Sequence, residues 1–595
     1  MHRDAEPIAR IVPTWTVAVA VGVVSLVIRS LVLRDLLAED PLFHVPVLDD
    51  RAYLDIARSM ADGRTDPWFL APLYPWLLWL AAVVLPLGMP LACGINVVLG
   101  AAGSVAATAT ATSLHSRTAG FIAGLLHASC GAFVFQDVTP GQEPALSLLH
   151  LLALCFAVRL ARRRDPRSAA LLGGCAGIAV LGRGTSMSLL LLAAPVLLRS
   201  DRGAALRLAA ACGAGLLLTL IPAAVGNASL GGGPTPLPWS GGPNLYAANG
   251  PDSRATVSFY AADLGADPTE MAARAASIAN ANGSRQLTPI EVSSWWTRRT
   301  WMERGDLDEF VVHLARKAAL FWSAEERGSN HSALAERRFS RWLQVVPVHG
   351  WWLLAVGAAA WWVLRPRFPE VDGAAAAIAG TWLLLTIVFP VARFRLPVAG
   401  IATVLTGCAG VETSRGAVAT RRLASAAAIL ATLGVVSLLP IRPAEEGTAH
   451  VNLAKAYVLG AGDRVMARAE LQTAIALEPT NGPAHELLGR LDLESGEPAS
   501  ALQHFVAAAQ DRRTRWSAQV AALPALVALQ RLDSASSAAR GLLSENRNDP
   551  ELLANAALVN WVSGDRGTAA ALLAKARALA PDHPAVRYAM NTIQP

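Results

Sequence analysis

Lysine is almost missing from this sequence, and charge of any kind is sparse. Lys317, Lys455 and Lys575 are the only lysines among 51 basic residues, and charged side chains make up 16% of 595 residues against 53% hydrophobic ones. That balance reads as an integral membrane protein with room for a further soluble domain. The formal charge of +6 does not point to nucleic acid, because the arginines gather in short clusters between apolar runs rather than along one polar face. Cysteine is scarce too. All six (Cys93, Cys130, Cys155, Cys175, Cys212 and Cys408) lie inside apolar runs without CxxC spacing or histidine partners, so they read as small buried hydrophobes and say nothing of the redox compartment. No HExxH, Walker A or GxSxG motif offers metalloprotease, nucleotide or serine-hydrolase chemistry.

What the sequence does have is apolar runs long enough to cross a bilayer, recurring from about residue 11 to residue 440 and then stopping. The first, IVPTWTVAVAVGVVSLVI, exceeds a usual signal-peptide core and has no small-residue cleavage site behind it, so it reads as an uncleaved span. Candidate spans lie near 11–29, 91–113, 118–136, 144–160, 168–181, 187–198, 206–224, 346–364, 374–391, 397–413 and 423–440. The stretch LYPWLLWLAAVVLPLG (73–88) is short and proline-bounded, and its Trp76 and Trp79 suit a membrane interface. With that stretch interfacial, His2-Arg3 with Arg10, HSR (115–117), RLARRRDPR (159–167), RSDRGAALR (199–207), RPR (365–367) and RGAVATRR (415–422) all fall on one side, as the positive-inside rule requires. The expectation is an all-α, polytopic protein of about eleven spans in the cytoplasmic (inner) membrane, its N-terminus cytoplasmic. The membrane domain covers 1–441 and includes outer loops 35–90 and 225–345.

Polar residues then collect at the outer ends of spans. Asp49, Asp50, Asp137 and Glu143 stand there with Arg183, Arg393 and Arg395. Arg29 and Arg34 break the charge rule as well, and snorkelling to lipid phosphate accounts for them. Arg393 and Arg395 flank Phe394 in VARFRLP and suggest a guanidinium clamp for a phosphate or diphosphate. Ionisable groups at membrane depth are functional candidates. Such a mixture suits group transfer from an anionic lipid, arginines holding the leaving phosphate while a carboxylate takes the proton of the incoming group. The bland readings stay open: Asp137 as a solvated loop residue, and Glu143, followed by Pro144, as a helix cap at the positive end of a span.

At these residues the chain resembles the GT-C type membrane glycosyltransferases. DDRAYLDIARSMADG (49–63), with Asp49, Asp50, Tyr53, Ala57 and Gly63, is similar to their first-loop signature. APLYPWLLWL resembles the juxtamembrane segment that follows it, GQEPALSLL the second-loop acidic residue, LGRGTSM a basic residue in mid-fold, and ARFRLPV a late RYRLP-like motif. GGPNLYAANGP and HLARKAALFW also look like family segments and carry Asn244, Tyr246, Asn249 and Lys317. The motifs occur in the family order from residue 11 to about 415. The aminoarabinose transferases of lipid A and the protein mannosyltransferases share this architecture.

The resemblance implies a sugar donor on polyprenyl phosphate and transfer with inversion on the outer face to a glycan, lipid or protein acceptor. It implies Asp49 as catalytic base, and Asp50 and Glu143, with Asp137, positioning the acceptor or a divalent cation. Arg395, Arg393 and Arg183 would hold the donor phosphate, and Tyr53, Asn244 and Lys317 would contact substrate from the loops. A metal, magnesium or manganese on Asp49, Asp50 and Glu143, is a candidate cofactor, since family members differ in needing one.

After about residue 446 the chain turns to Ala-rich helical pairs. IALEP and RALAP end at Pro479 and Pro581, three periods of 34 apart, and Gly462, Gly496, Gln530 and Gly564 share that lattice. This is the tetratricopeptide period, so 447–595 reads as an α-solenoid on the extracytoplasmic side that binds a peptide or protein partner, or else serves as a stalk. A membrane glycosyltransferase followed by such repeats also resembles the tetratricopeptide-containing mannosyltransferases. Two alternatives compete: an O-antigen ligase or polymerase using a diphosphate-linked donor, against which the early carboxylates speak, and a transporter or scaffold, against which the seven-to-four division of the spans speaks.

Overall fold

In the computed structural model the chain is described over residues 14–251, 253, 264–265, 267–281, 285–324, 330–346, 350–439 and 446–593. Among these residues the regular elements are helices, with no strand. Two compact units divide at Pro443 and Ala444.

In the first unit a helix occupies each of the eleven expected span positions. Among the described residues five helices are long and apolar enough to cross a membrane: Trp15–Glu39, Met89–Leu114, Glu143–Arg163, Arg202–Ser229 and Ala392–Ser414. At about 1.5 Å per residue these exceed the roughly 30 Å of a hydrocarbon core. Shorter apolar helices stand beside them, Pro166–Gly182 and Val371–Ile387 included. The stretch near 118–136 is broken into Arg117–Ser129 and Gly131–Gln136, and the one near 187–198 begins as a 3₁₀ helix, Gly184–Ala193, before Ala194–Leu198. The proline-bounded stretch forms the ten-residue helix Leu73–Ala82, about 15 Å long and too short to cross. His2, Arg3 and Arg10 lie outside the described residues.

Small residues let these helices approach. A Cβ on Gly173 would come within 1.9 Å of the Cys212 carbonyl oxygen, and one on Gly215 within 2.0 Å of that of Ala170, so Pro166–Gly182 and Arg202–Ser229 touch backbone to backbone. Several helices carry unlike ends. Glu143–Arg163 starts on Glu143 and finishes on Arg162 and Arg163. Ala392–Ser414 starts beside Arg393 and ends near Glu412, which pairs with His115 at 2.8 Å and with Arg367 at 2.5 Å. The basic clusters and the candidate site residues therefore occupy opposite ends of the same helices.

The second unit consists of helices Glu446–Leu459, Arg464–Leu477, Gly482–Glu494, Pro498–Ala508, Arg515–Ala528, Leu532–Glu545, Pro550–Val562, Arg566–Leu579 and Pro584–Thr592. Gly462, Gly496, Gln530 and Gly564 take positive φ at the four hairpin corners, 64°, 77°, 58° and 92°. The corner lattice read from sequence is thus one backbone conformation repeated, with Gln530 held where glycine is the cheap choice.

Candidate functional site

The first-loop carboxylates sit in the first turn of the Leu48–Ala61 helix, where the positive end of the helix dipole favours acids. The chain enters that turn through Leu48 at φ 50°, a left-handed conformation costly for a residue with a branched side chain. One turn position apart, the two carboxylates diverge. Asp49 accepts a hydrogen bond from Arg393 Nη2 at 2.7 Å. Asp50 is buried and faces another way.

Glu143 begins the Glu143–Arg163 helix, ahead of Pro144. Its place is set by the preceding hairpin, which Asn96 grips by donating to the carbonyls of Thr139 at 2.6 Å and Gly141 at 3.0 Å. A Cβ at Gly141 would lie 2.5 Å from Glu143 Oε2, so the glycine of GQEP makes room for the carboxylate. Glu143 accepts from Arg183 Nη2 at 2.7 Å and lies 3.7 Å from Arg393 Nε. The four groups form a chain in which Asp49 meets Arg393, Arg393 approaches Glu143, and Glu143 meets Arg183.

Both guanidiniums also lie near the Phe394 ring, Arg183 Cζ 3.8 Å and Arg393 Cζ 5.4 Å from its centroid. The aromatic clamp expected from Arg393 and Arg395 is therefore built from Arg393 and Arg183. The reason is helical geometry: residues two apart on the Ala392–Ser414 helix point to nearly opposite sides. Arg395 instead donates to the Phe321 and Ser323 carbonyls, both at 2.8 Å, tying the end of the long loop to the bundle.

Two guanidinium nitrogens of the cluster, Arg183 Nη1 and Arg393 Nε, are buried without a hydrogen-bond partner among the described residues. Buried donors of this kind are costly unless something accepts from them. Tyr53 faces the same four charges. Burial, with the Asp49 carboxylate second, raises its phenol above the ordinary value, keeping it a neutral donor.

Other expected site residues are placed elsewhere. Asp137 is buried against Arg29, 2.7 Å away, and Arg29 also donates to Ser25 Oγ at 2.6 Å and to the Ala128 carbonyl at 3.0 Å. This corrects both the snorkelling of Arg29 and the inclusion of Asp137 with the other acids: the two neutralise each other inside the bundle. Lys317 does not face the acid and arginine chain. Its Nζ donates to Asn249 Oδ1 at 3.0 Å and to the Ile387 carbonyl at 3.1 Å, and burial lowers its pKa to about 7. Asn244 is half-buried in the Gly241–Asn249 helix, whose Gly242 packs flush on Ser293.

Asp50 has partners the sequence did not announce. His331 donates from Nε2 to Asp50 at 2.7 Å and from Nδ1 to Glu336 at 2.7 Å, and Asn330 Nδ2 lies 3.5 Å from Asp50. The signal available was slight, one histidine five residues before one glutamate in a long polar loop. Of the candidate metal set, Asp49 and Glu143 are paired here with arginines and Asp50 with His331. Among the described residues no group of three or more His, Cys, Asp or Glu side chains is placed to hold a metal ion.

No protein-family model matches the chain, and the search of curated proteins found no match. Solved structures that it is similar to include the oligosaccharyltransferase of Archaeoglobus fulgidus in its apo form, at 13% identity and a TM-score of 0.39, covering 77% of this chain and 60% of that one. The chain thus spans less than two thirds of that enzyme's length. ArnT of Cupriavidus metallidurans bound to undecaprenyl phosphate is another, at 15% identity and a TM-score of 0.38, covering 90% of this chain and 80% of that one. YrrB, a tetratricopeptide protein with a peptide-binding site, matches 31% of this chain and 88% of its own length at 19% identity and a TM-score of 0.21. The structural neighbours are GT-C glycosyltransferases and tetratricopeptide proteins, all remote, and the functional reading rests on the residues above.

Proposed function

We propose that the chain is a membrane glycosyltransferase that moves a sugar from a polyprenyl-phosphate donor to an acceptor at the outer membrane face. The observation that carries this reading is the alternating chain of Asp49, Arg393, Glu143 and Arg183 at the ends of their helices, where two buried guanidinium nitrogens have no hydrogen-bond acceptor among the described residues. Asp49 takes the proton of the acceptor hydroxyl or amine. The acceptor atom then bonds to the anomeric carbon from the face opposite the leaving group, and the bond from that carbon to the phosphate oxygen breaks. Its electron pair departs with the lipid phosphate, which Arg393 and Arg183 receive in a water-poor setting where such contacts are strongest. Glu143 holds both guanidiniums in register.

The basic clusters at the opposite helix ends support an outward-facing site under the positive-inside rule, and the helical hairpins of the second unit fit a peptide- or protein-binding array. The test supplies the full-length protein in lipid nanodiscs with a panel of polyprenyl-monophosphate sugars, and separately with diphosphate-linked ones, and measures released polyprenyl phosphate. Release from the monophosphate donors, lowered by about 10³-fold in Asp49→Asn, is expected. Release from diphosphate donors alone would favour the ligase or polymerase chemistry instead.

A further inference from the structure

The Asp50, His331 and Glu336 cluster belongs to no step above, yet it is among the most completely buried polar groups of the first unit. Side-chain exposure is 1% for Asp50, 5% for His331 and 0% for Glu336. Both imidazole nitrogens are committed to carboxylates. Glu336 is itself held by the Ser332 backbone N–H, which donates to Oε1 at 2.6 Å. Phe43 and Phe135 set their ring edges against the imidazole at 5.6 Å and 6.4 Å, walling it from water. Nothing in this arrangement leaves Asp50 open to an acceptor or a cation.

What it does is fasten one turn of helix. Asp50 follows Asp49 directly, and the residue before both, Leu48, is in the left-handed region. That conformation is strained for a residue with a Cβ, and such strain persists only where surrounding contacts over-determine it. On one side Val47 is buried; on the other Asp50 is anchored through His331 to Glu336, almost three hundred residues on in the chain.

We infer that His331 is a positioning residue for Asp49: with Glu336 behind it, it clamps Asp50 and so holds the strained first turn in the one orientation that presents the Asp49 carboxylate to Arg393. The inference rests on the transfer reading for its kinetic consequence, but its structural consequence stands alone. Released from the clamp, the turn relaxes at Leu48 and Asp49 swings off the line of the reacting atoms, a displacement of the size that costs about 100-fold in rate with little change in donor affinity.

The experiment compares the full-length wild type, His331→Gln, and the double variant His331→Gln with Leu48→Gly, in which glycine adopts the left-handed turn without strain. Hydrogen exchange at the amides of residues 50–53 is measured alongside kcat and KM for the monophosphate-linked donor. Expected are roughly tenfold faster exchange and a kcat about 100-fold lower in His331→Gln with KM unchanged, both recovering by about tenfold or more in the double variant. Unchanged exchange in His331→Gln, or a double variant no better than the single, overturns the clamp.

If wild type releases no lipid phosphate, the transferase reading fails and the exchange arm alone decides the clamp. If His331→Gln does not fold, Glu336→Gln carries the same comparison. It weakens the tether without removing the imidazole, so smaller effects are expected there, about threefold faster exchange and a kcat about tenfold lower, and their absence overturns the inference.

Discussion

Asp49 and Asp50 are neighbours with separate lives, and at the residue scale that separation is the main result. One helical step turns the first toward Arg393 and the second toward His331. The pairing of like residue types in sequence therefore misleads about shared duty, just as Arg393 and Arg395 do two positions apart. Buried charge elsewhere in the loops has its own consequence. Lys317 is held near pKa 7 by burial, against an ordinary 10.5. Below about pH 7 both folded and unfolded chains carry the proton; between 7 and 10.5 the unfolded chain alone does. Unfolding then takes up a proton, so this group destabilises the fold below that window and its penalty fades as pH rises through it. Thermal melts of the full chain in detergent should show stability climbing from pH 7 to pH 9.5, and the climb should flatten in Lys317→Met. An equal slope in both proteins would assign the climb to other groups. His331 has the opposite sign. Burial alone would lower its pKa, but the Glu336 and Asp50 carboxylates outweigh burial and raise it, so its contribution is full below the ordinary histidine pKa and is lost as pH rises through the raised one.

At the scale of elements, helices and their corners were legible because apolar runs, prolines and glycines report backbone needs directly. Glu143 followed by Pro144 announced the start of the Glu143–Arg163 helix, and the 34-residue lattice announced the corners of the second unit. The break within 118–136 and the 3₁₀ start of 184–198 were not legible, since apolar composition fixes a run without fixing its hydrogen-bond pattern. Long-range partners were hidden for a different reason. Asn96 and His331 act across 43 to 281 residues of sequence, and one sequence carries no signal of such pairings unless a motif names them. The corner at Gln530 allows a direct check. Its φ of 58° burdens a residue with a Cβ by about 1 kcal/mol, part of which glycine gives back through greater freedom in the unfolded chain. Gln530→Gly should stabilise the second unit by about 0.5 kcal/mol, seen as slower hydrogen exchange in the helices Arg515–Ala528 and Leu532–Glu545. Faster exchange would mean that the glutamine side chain does more than tolerate its corner.

At the scale of the whole molecule, the account depends on which side of a membrane the acid and arginine chain faces. The helices themselves supply the contrast: Glu143, Arg183 and Arg393 at one set of ends, and Arg162, Arg163, Arg367 and Glu412 at the other. The positive-inside rule turns that contrast into an orientation. A cysteine in place of Asp55 reports one side, being exposed on the Leu48–Ala61 helix, and a cysteine in place of Arg202 reports the other, being exposed at the start of Arg202–Ser229. The decisive measurement is labelling of these two variants by a membrane-impermeant maleimide in intact cells, in a background whose six native cysteines are replaced by alanine. The account predicts that Asp55→Cys is labelled in intact cells and Arg202→Cys only after the membrane is opened. Labelling of both from the same side, or the reverse pattern, would contradict it.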